Sequence, residues 1–341
     1  MSQITIVGVD LAKNSFALVA LDVHGKEVQR KTLRRKQWLT YLAQLPPCTV
    51  AMEACASAHH WARRLQALGH TPVLLPPQHV KAYQRGQKND GNDARAVAEA
   101  QRHGAIRPVP IQTVAQQDAR MFLNFRRQVL ATRTRLVNQT RGVLAEYGIV
   151  VPRGIAALRR ALPEILEDAE NELSPAMRAL LERQRQRLVE LDAEVAWYDA
   201  QVKQRVQEEP ACKRLLALPG VGPLVGLALK TWMGDGRQFD RGRAASAALG
   251  MVPRQHSTGG RSVLLGISKR GDPWVRALVI HGARAVVSRV AGKDDPLSRW
   301  IQRLVATRGF NKAVVALANK IVRMAWVVIA RGEEYQPRTA A

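Results

Sequence analysis

Near the N-terminus, short apolar runs end in carboxylates, and this pattern constrains the fold more than any other feature of the chain. Ile4-Thr5-Ile6-Val7-Gly8-Val9 runs into Asp10, and Thr49-Val50-Ala51-Met52 runs into Glu53. Asp90 and Asp93 stand three apart in Lys88-Asn89-Asp90-Gly91-Asn92-Asp93-Ala94-Arg95. A carboxylate at the end of a buried strand destabilises the fold unless something neutralises it. Elements that converge at these ends gather four carboxylates, a set of hard oxygen donors suited to a divalent cation.

The surrounding pattern predicts strands over 4–9, 16–23 and 27–33, then a helix over 36–45 stopped by Pro46-Pro47. A strand over 49–53, a helix over 57–68 ended by Gly69 and a strand over 72–75 follow. A last helix runs from Asn92 to Arg102, with Asn92 or Asp93 as its cap. Hairpins feeding a βαβ unit give a mixed sheet with helices on its faces. This order matches the ribonuclease-H-like fold, which carries acids on its first strand, its fourth strand and its last helix.

Charge identifies the partner class. Lys and Arg number 52 against 28 Asp and Glu, a formal charge of +24, and such an excess favours phosphate backbones. The 46% apolar content is enough for folded cores and too high for a basic tail. At 341 residues, two or three domains are expected. Cys48, Cys55 and Cys212 form no CxxC pair, which suits reduced thiols in the cytoplasm. The N-terminus runs straight into a strand, without the pattern of a secretory signal. The apolar stretch 313–330 is interrupted by Lys320 and Arg323 and reads as a buried helix, not a membrane span.

Beyond residue 111 the period becomes helical. Phe122, Phe125, Val129, Leu136 and Val143 mark one face, with Arg120, Arg126, Arg127, Arg133, Arg135 and Arg141 around it. After Pro152-Arg153-Gly154, the residues Met177, Leu181, Gln184, Leu188, Leu191, Val195, Tyr198 and Val202 form a heptad seam. Two long helices then form a hairpin or pair with another subunit, or else pack in an internal helical bundle with no partner; periodicity leaves these open. Pro219-Gly220-Val221-Gly222 between apolar helical segments has the look of a helix-hairpin-helix, in which Gly220 and Gly222 let backbone N–H groups approach a phosphate. Arg254-Gln255-His256-Ser257-Thr258-Gly259-Gly260-Arg261 reads as a flexible loop in a cationic field that includes Lys269, Arg270 and Arg276. A hydroxyl there could attack a phosphodiester.

Gly8-Val9-Asp10-Leu11-Ala12-Lys13, Met52-Glu53-Ala54, the Lys88-to-Ala94 stretch, Leu218-Pro219-Gly220-Val221-Gly222 and the His256-to-Asp272 block occur here in one order. Together, over residues 4–330, they resemble the DEDD-type insertion-sequence transposases of the IS-one-ten/IS-eleven-eleven family, relatives of the Piv DNA invertase. The resemblance implies a RuvC-like catalytic domain (1–110), basic and coiled-coil helices (111–207), a mainly helical transposase domain (208–332) and a disordered tail (333–341). It implies that Asp10, Glu53, Asp90 and Asp93 are the DEDD set, binding Mg²⁺ or Mn²⁺, and that a loop serine is the nucleophile. Many relatives place that serine just before the first glycine, where this chain has Thr258. Ser257 is chosen because a primary hydroxyl is less hindered.

The resemblance also implies an element-encoded guide RNA that pairs with donor and target DNA, and a bacterial cytoplasmic, nucleoid-associated homo-oligomer, a dimer or tetramer. Nucleic-acid contacts are expected at Arg126, Arg127, Arg133, Gly220, Gly222, Arg254, Arg261, Lys269, Arg270 and Arg276. Two rival readings remain at this point. One is a RuvC-like metal-dependent junction nuclease with no covalent intermediate; the other is a non-catalytic RNA-binding module.

Overall fold

The computed structural model describes residues 3–337, and the chain divides into two units between Gln117 and Asp118. The first unit is a sheet with helices on both faces. Its elements are β1 (Ile6–Leu11), β2 (Ser15–Leu21), β3 (Glu27–Arg34), α1 (Trp38–Ala43), β4 (Thr49–Glu53), α2 (Ala58–Ala67), β5 (Thr71–Leu75), α3 (Pro77–Val80) and α4 (Asp90–Arg102). The strand order is β3-β2-β1-β4-β5. Strand β1 is antiparallel to β2 and parallel to β4, and β4 is parallel to β5, so the sheet is mixed as the hairpin-then-βαβ pattern predicts.

Strand alternation separates two cores. Val7, Val9, Val50 and Met52 face α1 and α2, packing with Trp38, Leu42, Trp61 and Leu65. There Phe16 meets the rings of Trp38 and Trp61 edge-on at 5.0 and 5.4 Å. The other face is built of small residues. Ala17 and Val19 pack against Ala94 and Ala98 of α4, and Ala51 packs against Ala96, Val97 and Ala100. Gly8 completes that face. A Cβ there would overlap the Ala94 carbonyl oxygen and stand 2.6 Å from the Ala98 nitrogen, so its absence lets α4 lie directly on β1.

Helix α4 starts earlier than the sequence suggests. Asn89, not Asn92 or Asp93, is the cap: its side-chain oxygen accepts the Asn92 N–H at 2.8 Å. Asp90 and Asp93 therefore both lie in the first turn. Helix α3 was not anticipated either, because Pro76-Pro77 reads as a strand stop, whereas Pro77 also suits the first position of a helix.

The second unit is mainly helical. Helix α5 (Val114–Glu146), which begins just before the division, α6 (Ile155–Glu167) and α7 (Pro175–Glu208) share one core. In it Val129, Leu136 and Leu144 meet Leu158 and Leu162 and the α7 residues Leu181, Leu188, Leu191 and Val195. The heptad seam is thus filled by α5 and α6 of the same chain. The buried stripe of α5 differs from the expected one. Phe125 is 55% exposed, while Arg126 and Thr140 take buried positions.

Helices α8 (Pro210–Leu215), α9 (Pro223–Met233), α10 (Gly242–Ala248), α11 (Pro273–Val287), α12 (Pro296–Arg308) and α13 (Phe310–Arg331) build the remaining core. Helix α13 is long and apolar enough to cross a membrane by length and composition, but it packs its apolar face, Val314, Leu317, Ile321 and Val322 among others, into that core. The segment after Leu249 is not a free loop. It forms two short antiparallel strands, β6 (Pro253–Gln255) and β7 (Leu264–Ile267). Of the tail expected from 333 onward, Tyr335 packs against the core, and residues 338–341 lie outside the described residues.

Candidate active site

Parallel pairing aligns Val9 with Met52, so Asp10 and Glu53 follow side by side on neighbouring strands. Asp10 shares a face with Gly8, and Glu53 shares one with Ala51, by the two-residue repeat of a strand. Both are faces that α4 covers. The small residues that seat α4 there bring its first turn, with Asp90 and Asp93, toward Asp10 and Glu53. Burial pushes the Asp10 carboxyl above its ordinary value, and the charges of Asp90 and Asp93 push it further; Lys88 acts against them. Glu53 is raised by burial, then by Asp10 and Asp93. Asp90 and Asp93 are therefore close enough to disfavour ionisation of Asp10, and Asp10 and Asp93 that of Glu53.

Among the described residues, no three His, Cys, Asp or Glu side chains are gathered tightly enough to enclose a cation by themselves. The donor set still fits an oxygen-seeking divalent ion. Such ions are commonly held by one or two carboxylates with substrate phosphates and water completing the shell, not by an all-protein cage. Three neighbours escaped the sequence reading. Gln84 donates from Nε2 to Asp93 Oδ1 at 3.0 Å. Lys88, though quoted within the acidic motif, had no assigned role. Cys55, two residues past Glu53, is raised by burial and by the charges of Glu53 and Asp10. Ser57, in the same turn, has φ 68°, a left-handed conformation uncommon outside glycine.

The serine stretch is the tip of the β6–β7 hairpin. Thr258 and Arg261 bridge each other across Gly259 and Gly260, whose φ values are 52° and 77°. A two-residue turn with both φ positive is the turn that matches strand twist, and glycine adopts it without strain. The His256 N–H bonds the Val263 carbonyl at 2.9 Å, continuing the ladder. Ser257 and Gln255 therefore share one face of the hairpin, and Gln255 Nε2 donates to Ser257 Oγ at 2.8 Å. Thr258 and Arg261 lie on the other face. Within the cationic field expected of this loop, Arg261 thus accompanies Thr258 and not Ser257.

The basic residues separate into free and engaged groups. Arg127, Arg254, Arg261, Lys269 and Arg270 are exposed. Arg126 is buried, with Nε and Nη2 both on Asp199 Oδ1 at 2.9 and 2.6 Å, and Arg133 reaches Asp192 at 2.9 Å. Both join α5 to α7, so their charges are engaged by carboxylates there. These polar residues occupy the α5 stripe because α7 supplies their counter-charges. Arg276 donates to the carbonyls of Leu249 and Arg270 at 3.2 and 2.8 Å, so it pins the Lys269–Arg270 turn. A Cβ on Gly220 would stand 2.7 Å from the Gly282 carbonyl oxygen. That glycine serves helix packing, whereas Gly222 is exposed with open space beside it.

Two family models match the chain. One, described as Transposase and of the DEDD IS110 type, matches residues 7–149. The other, described as Transposase IS116/IS110/IS902 family, matches residues 212–298. The chain is 44% identical to a probable family 20 transposase of Pseudomonas aeruginosa, over 97% of the chain and 98% of that protein. It is 41% identical to the transposase for insertion sequence element IS1111A of Coxiella burnetii, over 98% and 92%. It is 37% identical to the transposase for IS1328 of Yersinia enterocolitica, over 97% and 98%.

Proposed function

Because the chain belongs to the IS116/IS110/IS902 family of insertion-sequence transposases, enzymes that cut and rejoin DNA, we propose that it recombines DNA through its acidic cluster and Ser257. The observation that carries the reading is the convergence of acids from three separate elements: α4 lies on the faces of β1 and β4 that carry Asp10 and Glu53, and the charges of Asp90 and Asp93 raise the Asp10 carboxyl while those of Asp10 and Asp93 raise that of Glu53. Such clusters destabilise a fold and mark functional sites. We assign the first unit to the ribonuclease-H-like fold; the β3-β2-β1-β4-β5 order with acids on β1, β4 and the first turn of α4 supports the assignment. Helices α8 and α9 with their glycine turn are assigned as a helix-hairpin-helix whose exposed Gly222 end meets phosphate.

In this mechanism Asp10, Glu53, Asp90 and Asp93 would hold Mg²⁺, or Mn²⁺ with the same oxygen preference. When bound, the ion supplies positive charge at the scissile phosphate and its leaving oxygen. Ser257 Oγ attacks phosphorus, the bond to the departing deoxyribose oxygen breaks, and a seryl phosphoester keeps the bond energy for rejoining. The Gln255 amide fixes the Oγ through a lone pair, leaving the hydroxyl proton free to depart to solvent or to the leaving oxygen. Lys88, close enough to lower the Asp10 carboxyl, limits the negative charge that an incoming phosphate meets. Exposed Arg127, Arg254, Lys269 and Arg270 hold the backbone. A guide RNA from the element's own end selects donor and target, and the protein acts in the cytoplasm as a dimer or tetramer.

The test is adduct trapping on a donor nicked beside the cleavage point, which prevents rejoining. Ser257→Ala should lose the covalent protein–DNA product, Thr258→Ala should keep it, and Asp10→Asn should lose both adduct and recombinants. An adduct that persists in Ser257→Ala and disappears in Thr258→Ala moves the nucleophile to the other hairpin face. Metal-dependent cleavage with no adduct from any of these proteins establishes the junction-nuclease reading instead. RNA that co-purifies with the chain, once sequenced, should map beside its reading frame; random cellular RNA would overturn the guided step.

A further inference from the structure

The acids use one face of α4, and a face turned well round the helix from it lines a cavity of about 350 Å³ that the mechanism leaves unused. Tyr83 and His103 contribute rings with centroids 5.3 Å apart and planes tilted by 38°. Arg85, Arg95 and Arg102 contribute guanidinium groups and Glu99 the one carboxylate, an excess of 3 − 1 = +2 at the lining. Two of these cations are fixed in place. Arg95 is held by Glu27 at 2.8 Å and Glu99 at 3.3 Å. Arg102 donates to the His24 carbonyl at 3.0 Å and lies over Gly25, where a Cβ would stand 2.7 Å from its Nη1. Aromatic faces beside anchored guanidiniums are the elements that bind an unpaired base and its phosphate. The volume is near the lower limit for a ligand pocket, so it suits one nucleotide and not two.

We propose that this cavity binds a single unstacked nucleotide of a nucleic-acid strand, the base against Tyr83 and His103 and the phosphate on Arg85 and Arg102. Glu99, fixed between Arg95 and Arg102, is placed to accept a hydrogen bond from an exocyclic amino group. The location follows from the helix. Glu99 lies six residues from Asp93, roughly 9 Å along the axis at 1.5 Å per residue. That is between two and three steps of a strand at about 3.4 Å each. Glu99 is also turned about 120° round the helix from Asp93 at 3.6 residues per turn, so this rise is a lower bound and the site holds a base at least three positions from the phosphate at the acids. This position rests on the acidic-cluster reading above; the nucleotide site itself does not.

The chemistry is shared by DNA and RNA, so the experiment uses both. Full-length protein in EDTA is titrated with short single strands of DNA and of RNA in which 2-aminopurine is scanned along the sequence, one position at a time. Fluorescence should change sharply at one position. Tyr83→Leu, which keeps an apolar body against the α4 core, and the exposed Arg85→Ala should each weaken that strand about tenfold, the scale of one base–aromatic stack or one phosphate contact. A loss confined to DNA identifies the reacting strand, and a loss confined to RNA identifies a guide. Uniform fluorescence along both strands, or unchanged affinity in both variants, overturns the site. Variants that weaken binding in a chain that never cuts or joins DNA would retain the nucleotide site and reject the recombinase mechanism.

Discussion

Gly8→Ala tests whether the acids are assembled by close helix–strand packing. The added methyl would stand 2.7 Å from Ala98 Cβ, against about 3.5 Å for an ordinary carbon–carbon contact. Helix α4 must therefore retreat by at least about 0.8 Å. The obstacles include the Ala94 carbonyl and the Ala98 nitrogen, which are backbone atoms and cannot rotate away as a side chain does. The penalty belongs near the upper end of the overpacking range, about 3 kcal/mol. Loss of glycine's unfolded-state freedom returns about 0.5–1 kcal/mol. The net is about 2 kcal/mol, or roughly 8 °C of Tm for a unit near 100 residues. Urea and thermal melts followed by Trp38 and Trp61, both buried in that unit, measure it. Because α4 carries Asp90 and Asp93, recombination should fall about a hundredfold, the effect of a misplacement near 1 Å. Gly142→Ala is the control, since that glycine is exposed within α5 with nothing near its Cβ position. It should stabilise by up to about 1 kcal/mol. A Gly8→Ala protein with wild-type midpoint and activity would refute the packing argument.

Asp10→Asn should raise the Tm of the metal-free protein at neutral pH, because the native carboxyl is raised by burial and by Asp90 and Asp93. The folded state then holds its proton more tightly than the unfolded state, so wild-type stability falls as pH rises past the ordinary carboxylate value, and the Asn advantage should vanish below about pH 4. An advantage that grows on acidification contradicts this sign. Arg127→Ala should lower the log–log salt slope of DNA or RNA binding by about 1, whereas Arg126→Met should leave the slope alone and lower the melting midpoint; the same slope change from both would mean that the Arg126–Asp199 pair opens on binding. Leu188→Asp should unfold the α5–α6–α7 core outright, placing a charge among Leu181, Leu191 and Val195. A folded, merely monomeric Leu188→Asp protein, seen by light scattering and circular dichroism, would return the seam to an intersubunit role.

The first unit was legible because its strands obey a period of two and its helices end at Pro or Gly. The bounds Thr49–Glu53 match the strand to the residue, its start following the Pro46-Pro47 break and its end marked by the change from apolar run to carboxylate. The start of α4 was missed because Asn89, Asn92 and Asp93 are all competent caps, and only the hydrogen bond to the Asn92 N–H distinguishes them. In α5 the stripe was misread for a related reason. A buried Arg126 or Thr140 looks like a surface residue until Asp199 on α7 and the Leu136 carbonyl on α5 itself are seen to satisfy them. Pairing of that kind joins residues 73 apart in sequence, beyond the reach of any local pattern.

Glycine carries the part of the site that the local pattern of the sequence could not assign. Gly220 and the Gly259–Gly260 pair stand in motifs that suggest phosphate approach or loop freedom, and Gly8 stands within a strand run, yet each has a different use. Gly8 admits a helix, Gly220 admits the backbone of Gly282 on α11, and Gly259–Gly260 close a hairpin. The hairpin changes the chemical question about its hydroxyls. In a free loop, a shift of one residue between Ser257 and Thr258 is small. In a ladder it moves the hydroxyl to the opposite face, exchanging a Gln255 partner for an Arg261 neighbour. The two assignments therefore predict different dependencies. A nucleophile at Ser257 should weaken with Gln255→Ala while its adduct forms normally in Arg261→Ala, and a nucleophile at Thr258 should show the reverse.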